Sequence, residues 1–269
     1  MPTLTPVLAI VAIALFLVLA MSFAWWLATR SGQSGYVDTV WSFATGLAAI
    51  AAALAPVEAG TSTRNWVVAG LIALWAGRLG LHILARTRQG GDDPRYAALK
   101  REWGAQANQR LFLFLQIQAG AGLVLALCAM AAARNPLPFG QIGDYLGIGV
   151  ALAALAGEGV ADRQLAQFRA DPANRGKICD AGLWGTSRHP NYFFEWMGWL
   201  AYPLIAIDLS GTYPWGWAAL AGPAMMYWLL VHASGIPPTE AHMLRSRGEA
   251  FRAYQRRVNA FWPGPPKTR

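Results

Sequence analysis

The fold is decided by residues 7–29, which read VLAIVAIALFLVLAMSFAWWLAT. A transmembrane helix needs roughly 20 consecutive apolar residues, and this uncharged run is long enough to cross a bilayer. It is longer than the apolar core of roughly 7–15 residues in a removable signal peptide, and no basic segment precedes it. Its Trp25-Trp26 pair suits an anchor at a membrane–water interface. We therefore expect residues 7–29 to be a retained first span.

The composition extends this membrane character to the whole chain. Of 269 residues, 55% are hydrophobic and 13% are charged, whereas soluble domains usually carry about 25% charged residues. The length suits one helical bundle, so we predict a single transmembrane domain over residues 1–269. The two cysteines give neither a disulfide framework nor a metal-ligand spacing, so we expect no metal.

Seven apolar runs predict an all-α, seven-transmembrane-helix bundle. The predicted spans are residues 7–29, 37–56, 66–85, 111–133, 142–165, 191–208 and 214–234.

The distribution of basic residues predicts how this bundle is oriented. Nineteen of the 22 Lys and Arg residues lie at or beyond the ends of spans one, three, five and seven. Because cytoplasmic loops carry the excess of Lys and Arg, we expect the N-terminus outside and the C-terminus in the cytoplasm. The same placement explains the net charge of +8 without nucleic acid as a partner.

After the last span, the pattern of apolar and basic residues from Pro237 to Arg257 predicts one amphipathic tail helix. Two roles are open for it: a basic helix lying on anionic lipid, or a cover over an anionic cofactor.

Span two carries polar residues on one face. Asp38, Ser42 and Thr45 follow an i, i+4, i+7 spacing, with Trp41 beside them. An ionisable group inside a span costs at least about 2.5–3.5 kcal/mol at mid-depth, so this face indicates a lined cavity. The alternative is that Asp38 merely caps the start of the helix.

Spans five and six carry a second set of polar residues. Glu158 and Asp162 share a helix face that continues to Arg169. We expect these carboxylates to turn inward together with Asp38 of span two and Glu195 of span six, and to wall a single chamber that opens to the cytoplasm.

The start of span six predicts an anion site. Pro190 favours a first helical turn, and a helix N-terminus offers free N–H groups to an anion. Arg188 adds a bidentate phosphate ligand, and Asn191, Glu195 and Trp199 line one face of the helix. The alternative is an ordinary turn at the membrane surface, with Arg188 on lipid headgroups.

Several of these stretches resemble a known family. Gly157–Asp162 (GEGVAD), Gly182–Trp184 (GLW) and Ser187–Trp196 (SRHPNYFFEW) resemble the C-terminal half of steroid 5-alpha-reductases. The match extends to a bacterial branch of that family through Tyr36–Trp41 (YVDTVW), Asp93–Tyr96 (DPRY) and the tail from Glu240 to Gln255. It covers most of the chain and is most specific from about residue 157 to 200.

This resemblance implies a seven-helix bundle that binds NADPH from the cytoplasm and takes an apolar enone from the bilayer. Helices within about residues 1–133 would face the substrate, and those within about 142–269 would bind the cofactor. We expect a monomer in the inner membrane of a bacterium. The expected cofactor residues are Glu158, Asp162, Arg169, Lys177, Trp184, Arg188, His189, Asn191, Tyr192, Glu195, Trp199, Glu240 and Arg256.

The implied reaction is NADPH-dependent reduction of the conjugated carbon–carbon double bond of a 3-oxo-4-ene steroid or similar enone lipid. A hydride adds to the β-carbon while an acid polarises the carbonyl. The family places an acid on span two and a tyrosine on span three, where this chain has Asp38 and Trp75. We predict a catalytic group of Asp38, Tyr36 and Trp41. Asp38 is the donor if desolvation keeps it protonated, and Tyr36 is the alternative donor.

Two other functions are open. The Arg-His-Pro-x-Tyr stretch and a later glutamate also resemble isoprenylcysteine carboxyl methyltransferases, which use S-adenosylmethionine. Those enzymes usually show paired acidic residues in the tail, whereas Glu240 follows Thr239 here. A non-catalytic transporter or lipid-binding protein is the third possibility, although the sequence shows neither inverted repeats nor helices broken at mid-membrane.

Overall fold

A computed structural model of the chain describes residues 6–55, 62–89 and 92–267. Within these ranges every extended regular element is a helix, and the only β-type pairing is an isolated bridge between Ser187 and Asn259. The α-helices are α1 (Pro6–Ser31), α2 (Gly35–Leu54), α3 (Thr63–Arg88), α4 (Pro94–Trp103), α5 (Ala107–Ala133), α6 (Ile142–Ala170), α7 (Pro190–Trp199), α8 (Ala201–Ala206), α9 (Ala221–Trp228), α10 (Ile236–Arg247) and α11 (Glu249–Arg257). The predicted all-α class is confirmed for these residues.

Within the described residues, six helical stretches are long and apolar enough to cross a membrane. They are Pro6–Ser31, Gly35–Leu54, Thr63–Arg88, Pro94–Ala133, Ile142–Ala170 and Pro214–Arg247. Six of the seven predicted spans fall on these stretches, although residue 56, the last of predicted span two, lies outside the described ranges. The orientation in the membrane stays a prediction.

The predicted sixth span, residues 191–208, is two short helices instead of one. Helix α7 ends at Trp199, and α8 begins at Ala201. Proline lacks an N–H, and its ring clashes with the carbonyl group four residues earlier. Pro203 therefore disfavours a continuous helix through Trp199, and a bundle of seven unbroken spans is not confirmed.

The tail also differs from its prediction, because α10 and α11 replace the single amphipathic helix. Gly248 separates them with a φ of +52°, a left-handed conformation that favours glycine. The apolar side of α11 is buried, with Phe251, Tyr254 and Val258 forming a cluster within the protein. Ile178, Met243 and Leu244 pack against that cluster. The apolar face of α11 is therefore occupied by protein rather than by lipid.

The chain forms two compact units. The first consists of Met1–Ile148 and Tyr202–Gly222, and the second of Gly149–Ala201 and Pro223–Arg269. The boundary falls inside α6, and α8 belongs to the first unit, whereas the sequence suggested a division between residues 133 and 142. The assignment of substrate and cofactor to the two parts stays a prediction.

Small residues allow the helices of the first unit to approach closely. A Cβ on Gly46 of α2 would lie 2.3 Å from the Cβ of Ala76 on α3. The buried positions of α2 are mostly small, including Ala44, Ala48, Ala49, Ala52 and Ala53. Because helices in lipid associate through close packing rather than through a hydrophobic driving force, such small faces are typical of membrane bundles.

A buried ion pair joins several segments at one end of the first unit. Arg64, in the first turn of α3, donates from Nε and Nη2 to both carboxylate oxygens of Asp144 on α6, at 2.7 and 2.8 Å. Its Nη1 donates to the backbone oxygens of Asn135 and Leu137, at 2.7 and 2.6 Å. The Asn135 amide in turn donates to the Ile205 oxygen at 2.9 Å. Arg64 thus joins α3, α6 and the segment after α5, a role that the sequence did not predict.

We expect Asp144→Ala to lower the free energy of unfolding by about 3–5 kcal/mol, because it leaves the buried Arg64 charge uncompensated. Thermal unfolding of the detergent-purified variant would measure the loss. Glu249→Ala is the matched control, since it removes an exposed carboxylate with arginine partners. An Asp144→Ala variant that unfolds at the control temperature would contradict the role of this pair.

Candidate functional site

Asp38 is the centre of a polar network in the first unit. It lies in the first turn of α2, where its carboxylate forms an ion pair with Arg95 of α4. The Tyr96 hydroxyl donates to Asp38 Oδ1 at 2.8 Å. Gln118 of α5 donates from Nε2 to the Tyr96 oxygen at 3.1 Å. Three helices therefore contribute to one hydrogen-bonded group around a buried phenol.

The start of α4 positions Arg95 and Tyr96. Asp93 caps the helix by accepting from the Arg95 backbone N–H at 2.9 Å, and Pro94 occupies the first turn. The Asp93 carboxylate also accepts from Arg95 Nε and Nη2, each at 3.0 Å. Burial acts to raise the pKa of Asp93, but the hydrogen bonds and charge of Arg95 outweigh it and lower that pKa. Arg95 is thus held between two carboxylates.

The three predicted catalytic residues occupy different positions around this network. Asp38 faces a guanidinium and accepts from Tyr96, so it is an acceptor in these contacts, and its role as the proton donor stays a prediction. Tyr36 is half-buried in the first turn of α2. Trp41 donates to the Gln118 backbone oxygen at 3.0 Å and packs edge-on against Trp75 at 6.3 Å.

Tyr96, Arg95 and Gln118 were not predicted as site residues. The Asp93-Pro94 pair was the available signal, because a capping aspartate followed by proline marks a helix start. It predicts α4 but not the contact of Tyr96 with a residue 58 positions earlier.

A second polar cluster lies in the second unit, at the start of α7. Arg188 Nε donates to Glu240 Oε1 of α10 at 2.7 Å. Its Nη1 donates to the backbone oxygens of Gln255 and Val258. The Gln255 amide donates to Glu240 Oε2 at 2.6 Å. The predicted phosphate ligand Arg188 is therefore engaged by the protein's own tail, and its role in cofactor binding stays a prediction.

Val258 is the first residue of a C-terminal strap, which we define as residues 258–264. The Arg188 backbone N–H donates to the Asn259 oxygen at 2.8 Å, and Ser187 Oγ donates to the Phe261 oxygen at 2.9 Å. The Gly264 N–H donates to the Thr186 oxygen at 3.0 Å. The strap is thus bound along residues 186–188, directly before α7.

His189 is buried between the strap and α10. Its Nε2 lies 3.1 Å from Glu240 Oε1, and its ring stacks on Tyr192 with centroids 5.3 Å apart. The Tyr192 hydroxyl lies 3.4 Å from Thr239 Oγ1. Burial lowers the pKa of His189 below its ordinary value, although Glu240 acts in the opposite direction. His189 is therefore neutral at pH 7.

Glu158 and Glu195 are both buried, as the sequence predicts for residues that turn inward. Trp199 is also buried, and its Nε1 donates to Glu195 Oε1 at 3.0 Å. A Cβ on Gly157 would lie 2.4 Å from the Phe194 ring, so glycine permits the close approach of α6 and α7 here. Asp162 is half-buried on the same helix as Glu158.

The remaining predicted cofactor residues are divided between core and surface. Trp184 is buried and donates to the Ala161 oxygen at 2.9 Å. The Asn191 side chain accepts from the Tyr192 N–H at 3.1 Å. Arg169 and Lys177 are exposed, and Arg256 is exposed in an ion pair with Glu249. In the described part of the chain, no group of three or more His, Cys, Asp or Glu residues is arranged to hold a metal.

Comparison with known proteins finds one family. A family model described as a protein of unknown function, DUF1295, matches residues 24–258. No curated protein and no solved structure matches the chain. The matched region contains both polar clusters.

We expect the NMR signal of His189 to titrate below the ordinary pKa of about 6.5, because burial disfavours its charged form. Between the lowered pKa and about 6.5, the unfolded chain binds more protons, so the free energy of unfolding should rise with pH across that window. His189→Gln should flatten this dependence, whereas His242→Gln, at an exposed site on α10, should not. A pH profile unchanged by His189→Gln would contradict the assignment.

We expect Arg188→Ala to loosen the tail, since it removes the guanidinium contacts with Val258 of the strap, Gln255 of α11 and Glu240 of α10. A loss of about 3 kcal/mol in local stability corresponds to a roughly hundredfold faster cleavage of the tail. Chymotrypsin digestion followed by intact-mass analysis would measure it, because Phe251, Tyr254 and Phe261 are buried cleavage sites. Arg163→Ala, at an exposed position on α6, is the control. Equal cleavage rates in the two variants would show that Arg188 does not hold the strap.

Proposed function

This chain belongs to the DUF1295 family, which is linked to steroid 5-alpha-reductase-like proteins, and we propose that it reduces a conjugated carbon–carbon double bond in a membrane enone with NADPH. A 3-oxo-4-ene steroid is the substrate class that the resemblance favours. The observation that carries the proposal is the buried Tyr96 hydroxyl, held between Asp38 and Gln118 in a bundle of apolar helices.

Tyr96 is the proposed carbonyl-polarising group. A donor aimed at a carbonyl oxygen stabilises the negative charge that develops there when a hydride adds to the β-carbon. Tyr96 is buried, and its hydroxyl also accepts from the Gln118 amide. The phenol is therefore our proposed donor in place of Asp38, and it lies on α4 rather than on span three, where the family has its tyrosine.

Asp38 and Arg95 act on Tyr96 rather than on the substrate. The Asp38 carboxylate orients the Tyr96 hydroxyl, and the Arg95 guanidinium forms an ion pair with that carboxylate. A substrate carbonyl would compete with Asp38 for the hydroxyl hydrogen. Completion of the product requires a proton at the α-carbon, for which Tyr96 and bulk water are the sources.

The second unit has the charge expected for binding a polyanionic dinucleotide. It contains twelve Lys and Arg residues and seven Asp and Glu residues. Arg169 and Lys177 are exposed cations suited to phosphate groups, whereas Arg188 holds the strap. The buried Glu158 and Glu195 carboxylates are acceptors suited to ribose hydroxyl or amide groups. When bound, the cofactor supplies the hydride, and the protein supplies binding and orientation.

We expect the purified protein in nanodiscs to convert a 3-oxo-4-ene steroid to its saturated ketone when NADPH is present, with the product identified by mass spectrometry. Tyr96→Phe and Asp38→Asn should each lower kcat/KM by roughly 10²–10³, because they remove or misorient the donor.

Two matched variants serve as controls. Tyr213→Phe removes another hydrogen-bonded phenol of the first unit, and Asp208→Asn alters another buried carboxylate. Both should keep full activity. If no enone is reduced and the protein instead transfers a methyl group from S-adenosylmethionine, the reductase proposal fails in favour of the methyltransferase. Binding of neither cofactor would favour a non-catalytic lipid-binding protein.

A further inference from the structure

Four large aromatic side chains are exposed at the end of the first unit that carries the Arg64–Asp144 pair. Trp66 of α3 is 61% exposed and Tyr145 of α6 is 63% exposed. Trp215 and Trp217, in the helical segment Pro214–Leu220, are 76% and 52% exposed. Three separate segments thus place bulky rings on the surface.

Hydrogen bonds and close packing bring these segments to one end. Trp66 lies two residues after Arg64, and Tyr145 directly follows Asp144, so their helices start side by side. The Asn135 amide, adjacent to the oxygens that bind Arg64, donates to the Ile205 oxygen at the end of α8. A Cβ on Gly216 would lie 2.2 Å from the Ala206 oxygen, which fixes the segment carrying both tryptophans against α8.

The opposite end of the unit carries the same kind of residue. Trp26 of α1 is exposed there, and the Arg30 guanidinium lies 5.7 Å from the centre of its ring. Along α3, the 20 residues from Trp66 to Arg86 correspond to about 30 Å at 1.5 Å per residue. That distance equals the hydrocarbon thickness of a typical bilayer.

We propose that Trp66, Tyr145, Trp215 and Trp217 form an aromatic belt in the headgroup region of one membrane leaflet. Tryptophan and tyrosine are favoured at this depth because one part of the ring system is apolar and another donates a hydrogen bond. The occupant of this surface is the glycerol and headgroup layer of phospholipid. This inference does not depend on the proposed enzymatic activity.

The belt defines the depth of both polar groups in the first unit. The Arg64–Asp144 pair lies at the level of the belt, so its charges are at the membrane boundary rather than at mid-depth. Arg86, at the other end of α3, donates to Asp93 at 3.1 Å, and Asp93 contacts Arg95. The Asp38–Tyr96 network therefore lies near the opposite leaflet's headgroups, where an apolar substrate from the bilayer meets polar side chains.

Spin labels would measure this depth directly. Single cysteines replacing Trp66, Tyr145 or Trp215 would be introduced after Cys128→Ala and Cys179→Ala, both of which are buried positions. The protein would be reconstituted in vesicles of equal parts phosphatidylcholine and phosphatidylglycerol. Power saturation with oxygen and a water-soluble nickel complex gives the depth of each label. Leu19→Cys on α1 is the deep reference, and Arg175→Cys in an exposed loop is the aqueous one.

We expect the three belt labels to share one depth, within about 5 Å of the lipid phosphates, and the Leu19 label to lie deeper. Belt labels as accessible to nickel as the Arg175 label, or as deep as the Leu19 label, would overturn the proposal. If the cysteine-free background fails to fold, quenching by brominated phospholipids provides the second test. Trp215→Phe with Trp217→Phe should then reduce the quenching by headgroup-proximal bromines, and unchanged quenching would overturn the belt.

Discussion

A charged side chain among apolar helices must find its partner within the protein, and this constraint governs both units. The apolar interior offers few hydrogen bonds, so an unpaired buried ion costs several kcal/mol. Arg64, Arg95 and Arg188 each meet a carboxylate from a distant part of the chain. Arg64 and Arg188 also donate to backbone oxygens, and Arg95 to a second carboxylate. Arg64 and Arg188 therefore each join three segments through one side chain, and Arg95 joins the starts of α2 and α4.

The three pairs have different consequences. Arg64 closes one end of the first unit, and Arg188 binds the C-terminal strap to the start of α7. Arg95 bears on the proposed chemistry, because its guanidinium pairs with the Asp38 carboxylate that accepts from Tyr96. The donor in that network is then the neighbouring phenol of Tyr96, which Asp38 orients. A single ion pair thus changes which residue is proposed to polarise the substrate carbonyl.

The tail shows what covers an apolar helix face that the sequence left without a partner. Its apolar residues pack on Ile178, Met243 and Leu244, and Glu240 contacts Arg188. An amphipathic pattern indicates only that one face must be covered, and either lipid or protein satisfies it. Here protein covers that face, so α11 does not bind lipid through its apolar residues, while its arginines remain exposed.

The sequence by itself determined the helical class, the limits of most spans and the inward position of Glu158 and Glu195. The length of an apolar run and the cost of burying a carboxylate are properties of a local segment. They can therefore be inferred from the sequence without knowledge of the tertiary structure. The break after Trp199 contradicts the predicted span 191–208, although Pro203 was an available signal for it. Tertiary structure alone decided that Asp38 contacts a residue 57 positions later, and Arg64 one 80 positions later. Which residue a charged side chain contacts depends on the distance between segments in the folded chain. Neither the hydropathy of a segment nor the spacing of its residues gives that distance.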